Sequence, residues 1–505
     1  MGNDASGEKR DARLASPTAR NVRRPRCRAR TLYGRPCSRD ARGHLVPRWI
    51  PDTPQDEAAL LKAAGLASFE DLFADIPRRV RMGKLGVGAA RTEPEVVAAV
   101  DKILERNRPY PKFASFLGGR MPIRYQPSAV DAILSRSEFY TSYTPYQPEA
   151  SQGMLQALFE FQSLVVELTG LDCANASLYD GATAAGEALL LCRRIHEGHR
   201  FLYPASLPWE EKSVLQNYGA GHAISFEEIP FDPRTGRLDL DWLRTEVGKG
   251  GVFGLLADMP NGFGHVDEGL LELKEILREI PLAIAADPLA LSVLEPPGSW
   301  GADIVVGEGQ GFGQPPSFGG PLLGLFACRR DHVRLSPGRI VGATRDAEGR
   351  RAFTLTLQTR EQHIRRSRAT SNICTNQSLL ALAFVVYASV VGARGLAELQ
   401  GQLAEKARTL AATLGSVEGL AAPRFDAPYL SDFAVEVRHG TAEQFLERLR
   451  RKKVLGGYPL ADPRSGRPSI GELFLTSATE LTDDRAIQRF GKAARGAVSR
   501  GAGAS

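Results

Sequence analysis

Two stretches decide the fold: Val252-Phe-Gly-Leu-Leu-Ala-Asp258 and, one helix later, Leu282-Ala-Ile-Ala-Ala-Asp287. Each is a run of apolar residues closed by a carboxylate. Continuous rather than alternating apolarity means a strand buried on both faces, as in a sheet covered by helices on either side. Working outward, further apolar runs fall at 201–203, 223–226, 303–306 and 322–327, with helical stretches at 184–196, 209–218, 238–247 and 268–279. Such alternation predicts an α/β open sheet with right-handed crossovers.

Ahead of that sheet, Met154, Leu158, Phe161, Val165 and Leu168 recur at helical spacing, with Ser151 placed to cap the start and Gly170 to stop it. Two apolar flanks make this a buried helix. After the sheet, 376–393 reads as a long buried helix leaving the domain. Then come helix 396–414, strand 432–438, helix 442–452 and strand 473–477. At the other end, 50–73 is helical, with Thr53 as cap, and a second helix follows at 93–106. The expected organisation is a tail (1–45), a helical arm (46–110), a large α/β domain (111–394) and a small α+β domain (395–505).

A hydrophobic content of 43% over 505 residues excludes wholesale disorder. Six cysteines do not make a disulfide scaffold in a chain this long, and Cys173, Cys192, Cys328 and Cys374 read as buried small apolar residues. The longest nearly apolar run, 379–391, falls short of the ~20 residues that span a bilayer. No amino-terminal segment has the apolar centre expected of a secretory signal. The expectation is a soluble, cytoplasmic protein with no membrane partner. Residues 1–45 hold one lysine and eleven arginines against four acids, a net of +8 in a chain of net +6, which leaves residues 46–505 at −2. The body therefore has no basic footprint for specific nucleic-acid binding. The tail is too polar to bury a core and reads as a disordered Arg-rich appendage, or as upstream sequence that is not translated.

Several motifs carry chemistry. Tyr179-Asp-Gly-Ala-Thr-Ala-Ala-Gly186 precedes a helix and is either a phosphate cradle or a glycine turn with a Thr cap. Asp287 ends a strand where ligands of α/β sheets sit. It either holds a protonated ring nitrogen, as pyridoxal phosphate requires, or caps the next turn. A pyridoxal enzyme of this architecture also needs a lysine shortly afterwards for its Schiff base. Between Lys274 and Lys406 there is none, and Gly307-Glu-Gly-Gln-Gly-Phe-Gly-Gln-Pro-Pro-Ser-Phe-Gly-Gly320 offers Gln310, which cannot form an imine. Residues 356–376 gather Arg, His, Thr, Ser and Asn ahead of a buried helix, a donor set suited to phosphate and carboxylate. Tyr140-Thr-Ser-Tyr-Thr-Pro-Tyr-Gln-Pro-Glu149 is a stiff aromatic segment suited to a site or an interface. The histidines show no metal spacing.

Several of these motifs, in order, resemble the glycine cleavage system P-protein, in its two-subunit form the first subunit of glycine dehydrogenase (decarboxylating). They are Tyr143-Thr-Pro-Tyr-Gln-Pro-Glu-Ala-Ser-Gln-Gly153, Ala174-Asn-Ala-Ser-Leu-Tyr-Asp-Gly-Ala-Thr183, Val305-Val-Gly-Glu-Gly-Gln310 and Ser317-Phe-Gly-Gly-Pro321. Pro337-Gly-Arg-Ile-Val-Gly342, Arg360-Glu-Gln-His-Ile-Arg365 and Ala369-Thr-Ser-Asn-Ile-Cys-Thr375 agree. The resemblance implies a pyridoxal-phosphate-dependent transferase-like (fold type I) large domain and an oxidoreductase of glycine catabolism. It implies a heterotetramer, two copies each of subunits 1 and 2, in which pyridoxal phosphate is bound by the lysine of subunit 2. Glycine loses its carboxylate, and the aminomethyl group passes to the lipoyl arm of the H-protein.

On that resemblance Thr370, Ser371 and Asn372 match a loop that reaches the neighbour's cofactor phosphate, and Tyr143, Tyr146 and Glu149 are further contributors to the shared site. Asp287, Gly181 and Thr183 become inherited features that no longer face a cofactor in this chain, which by itself holds no catalytic residue. The chain departs from the family where relatives read Ala-Tyr-Asp-His-Tyr-Ile-Pro and it has Met121-Pro-Ile-Arg-Tyr-Gln-Pro127. It also has Asn261-Gly-Phe-Gly264 for Asn-Phe-Phe-Gly. These departures motivate an alternative, a catalytically silent relative acting as scaffold or regulator. The resemblance begins near Val46, and no methionine lies between Met1 and Met82, so translation from a non-AUG codon near Val46 is expected.

Overall fold

A computed structural model describes residues 53–82, 86, 91–107, 113–140, 143–358, 362–461 and 471–498. The tail expectations lie outside these residues. The chain divides into two compact units, the second beginning at Leu104. The first carries helix α1 (Pro54–Ala63) and all but the last residue of α2 (Glu93–Leu104). Thr53 caps α1 as expected: its hydroxyl accepts the Asp56 N–H at 3.2 Å, and the Asp56 carboxylate accepts the Thr53 N–H at 2.9 Å. The helix does not run on to Phe73. Gly65, at φ +71, turns the chain, and Phe69–Phe73 forms a separate 3-10 turn.

In the second unit α3 (Gln152–Thr169) is the buried helix that the spacing predicts, closed by Gly170 at φ 68. Its start differs from expectation, since Ser151 makes no capping bond. The Gln152 amide holds that end instead, donating to the Pro148 and Phe353 carbonyls and accepting the Phe353 N–H at 2.9 Å.

The central sheet has seven strands, β1 (Cys173–Ala174), β2 (Arg200–Pro204), β3 (Ser225–Ile229), β4 (Val252–Met259), β5 (Leu282–Ala286), β6 (Ile304–Glu308) and β7 (Gly324–Cys328). Their order is β1-β7-β6-β5-β4-β2-β3. Strands β2 to β6 pair in parallel, whereas β7 and β1 pair antiparallel, so the sheet is mixed. All of β4, β5 and β6 is buried, as continuous apolarity requires. The third strand starts later than its apolar run because Ala223, at φ 52, still belongs to the preceding turn. Helix 268–279 is a 3-10 turn followed by Leu273–Leu277, ended by Arg278 at φ 54. Helix α4 (Gly181–Ile195) begins at Gly181, on the edge of the sheet's carboxyl end. A hairpin of β8 (Ile340–Arg345) and β9 (Arg351–Thr356) packs near α3.

The two helices expected around 376–414 follow each other directly within one stretch, α5 (Ser378–Gly415), and are separated by a break at Gly392, whose φ 70 and ψ 165 are not helical. By length and composition alone this stretch is long and apolar enough to cross a membrane, but it is broken at Gly392. Here Ala383 and Phe384 sit in the core of the large sheet, while Leu410 and Leu414 enter a second core. Phe384 stacks on Phe312 at 4.4 Å and meets Phe161 edge-on at 5.4 Å. The second core lies under an antiparallel sheet of β10 (Leu420–Ala421), β11 (Asp432–Val437), β12 (Tyr458–Pro459) and β13 (Leu473–Ser477), ordered β10-β11-β13-β12. Helices α6 (Ala442–Arg451) and α7 (Asp484–Val498) back it through Phe445, Leu449 and Phe490.

Candidate active site

Parallel strands aim their carboxyl ends at one rim, and there β4, β5 and β6 border a cavity of about 60 Å³, room for a few waters. Arg120, Asp287, Glu308, Asp432 and Tyr458 line it. Asp287 faces the cavity and also caps the following turn, accepting the Leu289 N–H at 3.0 Å. Deeper in, Arg120 binds Glu211 at 2.6 Å and stands 3.6 Å from Asp258. Burial pushes the Asp258 carboxyl up to about 7, against the pull of Arg120.

At the start of α4, the Asp180 carboxylate takes the Thr183 N–H at 2.7 Å and the Thr183 hydroxyl at 2.8 Å. Gly181 N–H donates to Glu308 Oε2 at 2.9 Å, and Glu308 Oε1 accepts the N–H groups of Gln310 and Leu323, both at 2.9 Å. Burial raises the Glu308 carboxyl to about 7 despite these donors. Gln310 is fully buried and donates to the Gln314 carbonyl at 2.5 Å. A pyridoxal phosphate held in this chain would need an imine-forming lysine and a free helix start. The residues present supply neither, and the pocket does not fit the group.

The family departures have physical counterparts here. Arg124, from the altered 121–127 stretch, lines the cavity and lies 3.5 Å from Glu480. At Gly262, a Cβ would run into the carbonyl oxygen of Ser206, so no larger side chain fits this backbone.

The hydroxyl and amide donors expected in 369–376 lie elsewhere. Thr370 offers its carbonyl to Arg194, Ser371 Oγ accepts the Ile373 N–H at 3.0 Å, and Asn372 Oδ1 accepts from Gln362 at 2.8 Å. The loop rests on the 174–179 segment. Tyr179 accepts the Cys374 N–H at 3.1 Å, and Asn376 donates to the Ala176 carbonyl at 2.6 Å. Buried Arg339 joins this loop to the tyrosine segment. It donates to the Tyr146 hydroxyl at 2.9 Å, the Cys374 carbonyl at 2.7 Å, and the Thr375 hydroxyl and Thr144 hydroxyl, each at 3.2 Å. Tyr146 and the loop are thus brought together, while Tyr143, 76% exposed, and Glu149 are surface residues of the same segment. Sequence reasoning missed Arg339 as a site residue. Its signal was an arginine between Gly338, at φ 73, and the apolar start of β8, a position that buries a charge and so demands partners. Among the described residues no cluster of His, Cys, Asp and Glu is placed to hold a metal.

The family model described as glycine cleavage system P-protein matches residues 47–461. The chain is 43% identical over 449 residues to a Geobacillus kaustophilus protein described as "Probable glycine dehydrogenase (decarboxylating) subunit 1", covering 88% of this chain and 98% of that one. A Thermococcus kodakarensis protein of the same description is 40% identical, covering 86% of this chain and 94% of its own length. Among solved structures, a glycine decarboxylase (P-protein) of the glycine cleavage system, in inhibitor-bound form, superposes with a TM-score of 0.80 at 36% identity, over 88% of this chain and 99% of that one. A Burkholderia pseudomallei sphingosine-1-phosphate lyase shares the fold alone, at 14% identity and a TM-score of 0.59, over 85% of this chain and 94% of its own. The architecture is that of the pyridoxal-phosphate-dependent enzymes of fold type I.

Proposed function

Because this chain belongs to the glycine cleavage system P-protein family, we propose that it is subunit 1 of a heteromeric glycine dehydrogenase (decarboxylating) and works only with a subunit 2. The observation that carries this reading is the pocket that lacks a lysine and whose helix start is already satisfied by Glu308. A chain of this fold with no seat for the cofactor acts by completing a site on another chain. Pyridoxal phosphate, bound by subunit 2, supplies the electron sink for the loss of carbon dioxide from glycine. The aminomethyl group then passes to the lipoyl arm of the H-protein, whose disulfide is reduced. We assign the assembly two copies of each subunit and place it in the cytoplasm.

The part of this chain is positioning. Thr370, Ser371 and Asn372 present hydroxyl and amide groups to the neighbour's cofactor phosphate, from a loop held by Arg339, Tyr179 and Asn376. Tyr143, Tyr146 and Glu149 form the flanking wall, where exposed aromatic faces suit an interface and exclude water. Co-expression with a subunit 2 tests the reading. Glycine–bicarbonate exchange present in the pair and absent from either chain alone is expected. A stable pair without exchange would make this chain a scaffold or regulator, and an imine reducible by borohydride on this chain alone would refute both.

A further inference from the structure

We propose that Glu308 is a built-in stand-in for a phosphate group, occupying from within the anion seat at the start of α4, and that vacating it uncovers a latent site for phosphate monoesters. The inference concerns this chain alone and goes beyond the heteromeric reading, whose failure would leave it untouched.

A helix start presents unpaired N–H groups and the positive end of the helix dipole, and so attracts anions. Helices usually satisfy these groups with a local cap, and α4 has one in Asp180. Glu308 is not local. It reaches Gly181 from the end of β6, 127 positions along the chain, and its other oxygen gathers the N–H groups of Gln310 and Leu323. Donors from three separate segments thus converge on one buried anionic group, 8% exposed, which is the arrangement the several oxygens of a phosphate would otherwise satisfy.

One further observation marks the seat as filled. A Cβ on Gly181 would lie 3.1 Å from both Cβ and N of Glu308, so nothing can enter between them. An incoming phosphate would meet both a carboxylate in its place and the Asp180 carboxylate beside it.

The test uses the full chain as wild type, Glu308→Ala and Glu308→Gln. Melting temperatures are compared in phosphate and in chloride at equal ionic strength, and pyridoxal phosphate binding is measured by equilibrium dialysis. The basic tail is common to all three proteins, so its contribution cancels. Wild type is expected to show no phosphate-specific rise in melting temperature. Glu308→Ala should melt lower in chloride, recover by about 2 °C or more in phosphate, and bind pyridoxal phosphate at least about tenfold more tightly than wild type. Glu308→Gln, which keeps the seat filled, should gain neither. If Glu308→Ala folds only in phosphate, that rescue supports the proposal. Wild type binding as tightly as Glu308→Ala, no phosphate-specific effect on Glu308→Ala, or an equal gain in Glu308→Gln would each overturn it.

Discussion

The Arg339 guanidinium stands over the Tyr146 ring, 5.2 Å from its centroid, and donates a 2.9 Å hydrogen bond to the hydroxyl of that same ring. One buried cation thereby fixes an aromatic segment from before α3 against a polar loop from before α5. Arg339→Ala is expected to lower glycine–bicarbonate exchange of the reconstituted pair by about tenfold or more, while each chain still folds. Arg339→Lys should not restore it, because an ammonium cannot serve so many acceptors in one plane. Exchange rates and circular dichroism of the variants decide the matter, and an active Arg339→Ala pair would remove Arg339 from the positioning role.

The loop itself can be tested through the cofactor. Thr370→Ala combined with Ser371→Ala should weaken retention of pyridoxal phosphate by the reconstituted pair, roughly 10-fold to 100-fold for the loss of hydrogen bonds to a charged group. Absorbance after exhaustive dialysis measures this. Unchanged retention would place the loop outside the shared pocket.

Asp258 gives the chain a pH-dependent stability. Its folded carboxyl titrates near 7 and its ordinary value is 3.8, so the stability it contributes is full below about pH 4 and is lost as pH rises through about 7. The loss is on the order of 4 kcal/mol. Melting temperature should therefore fall between about pH 4 and about pH 7, and Asp258→Asn should make that slope shallower, leaving the share that Glu308 contributes in the same range. A variant with the wild-type slope would assign the dependence to another group.

Gly262→Ala should destabilise the chain by about 2 kcal/mol or more, since the new methyl must displace the Ser206 carbonyl. Thermal unfolding followed by circular dichroism reads it directly. A neutral substitution would mean that the loop after β4 yields easily.

The strands were legible because burial on both faces leaves no room for polar residues. The unbroken apolar runs of β4 and β5 therefore announced themselves. What stayed hidden depends on partners far along the chain. Ser151 looked like a cap, yet the Gln152 amide, bonded to Phe353, holds the helix start. The antiparallel edge of the sheet is a matter of pairing, which no run of residues records. Likewise, the missing lysine could be seen in the sequence, but Glu308 filling the helix start could not, because Gly181 and Glu308 meet only in three dimensions.

The bend in α5 has a mechanical consequence. Gly392, at φ 70 and ψ 165, occupies a backbone region that side-chain-bearing residues avoid, so the shaft running between the two lobes changes direction at a single residue. The part before the bend is keyed into one lobe through Phe384, and only the far end enters the other, through Leu410 and Leu414. Leu396 and Leu403, past the bend, still pack into the first interior, so the break redirects the segment without marking the boundary between the lobes, and a tilt about Gly392 would pull both out of that interior.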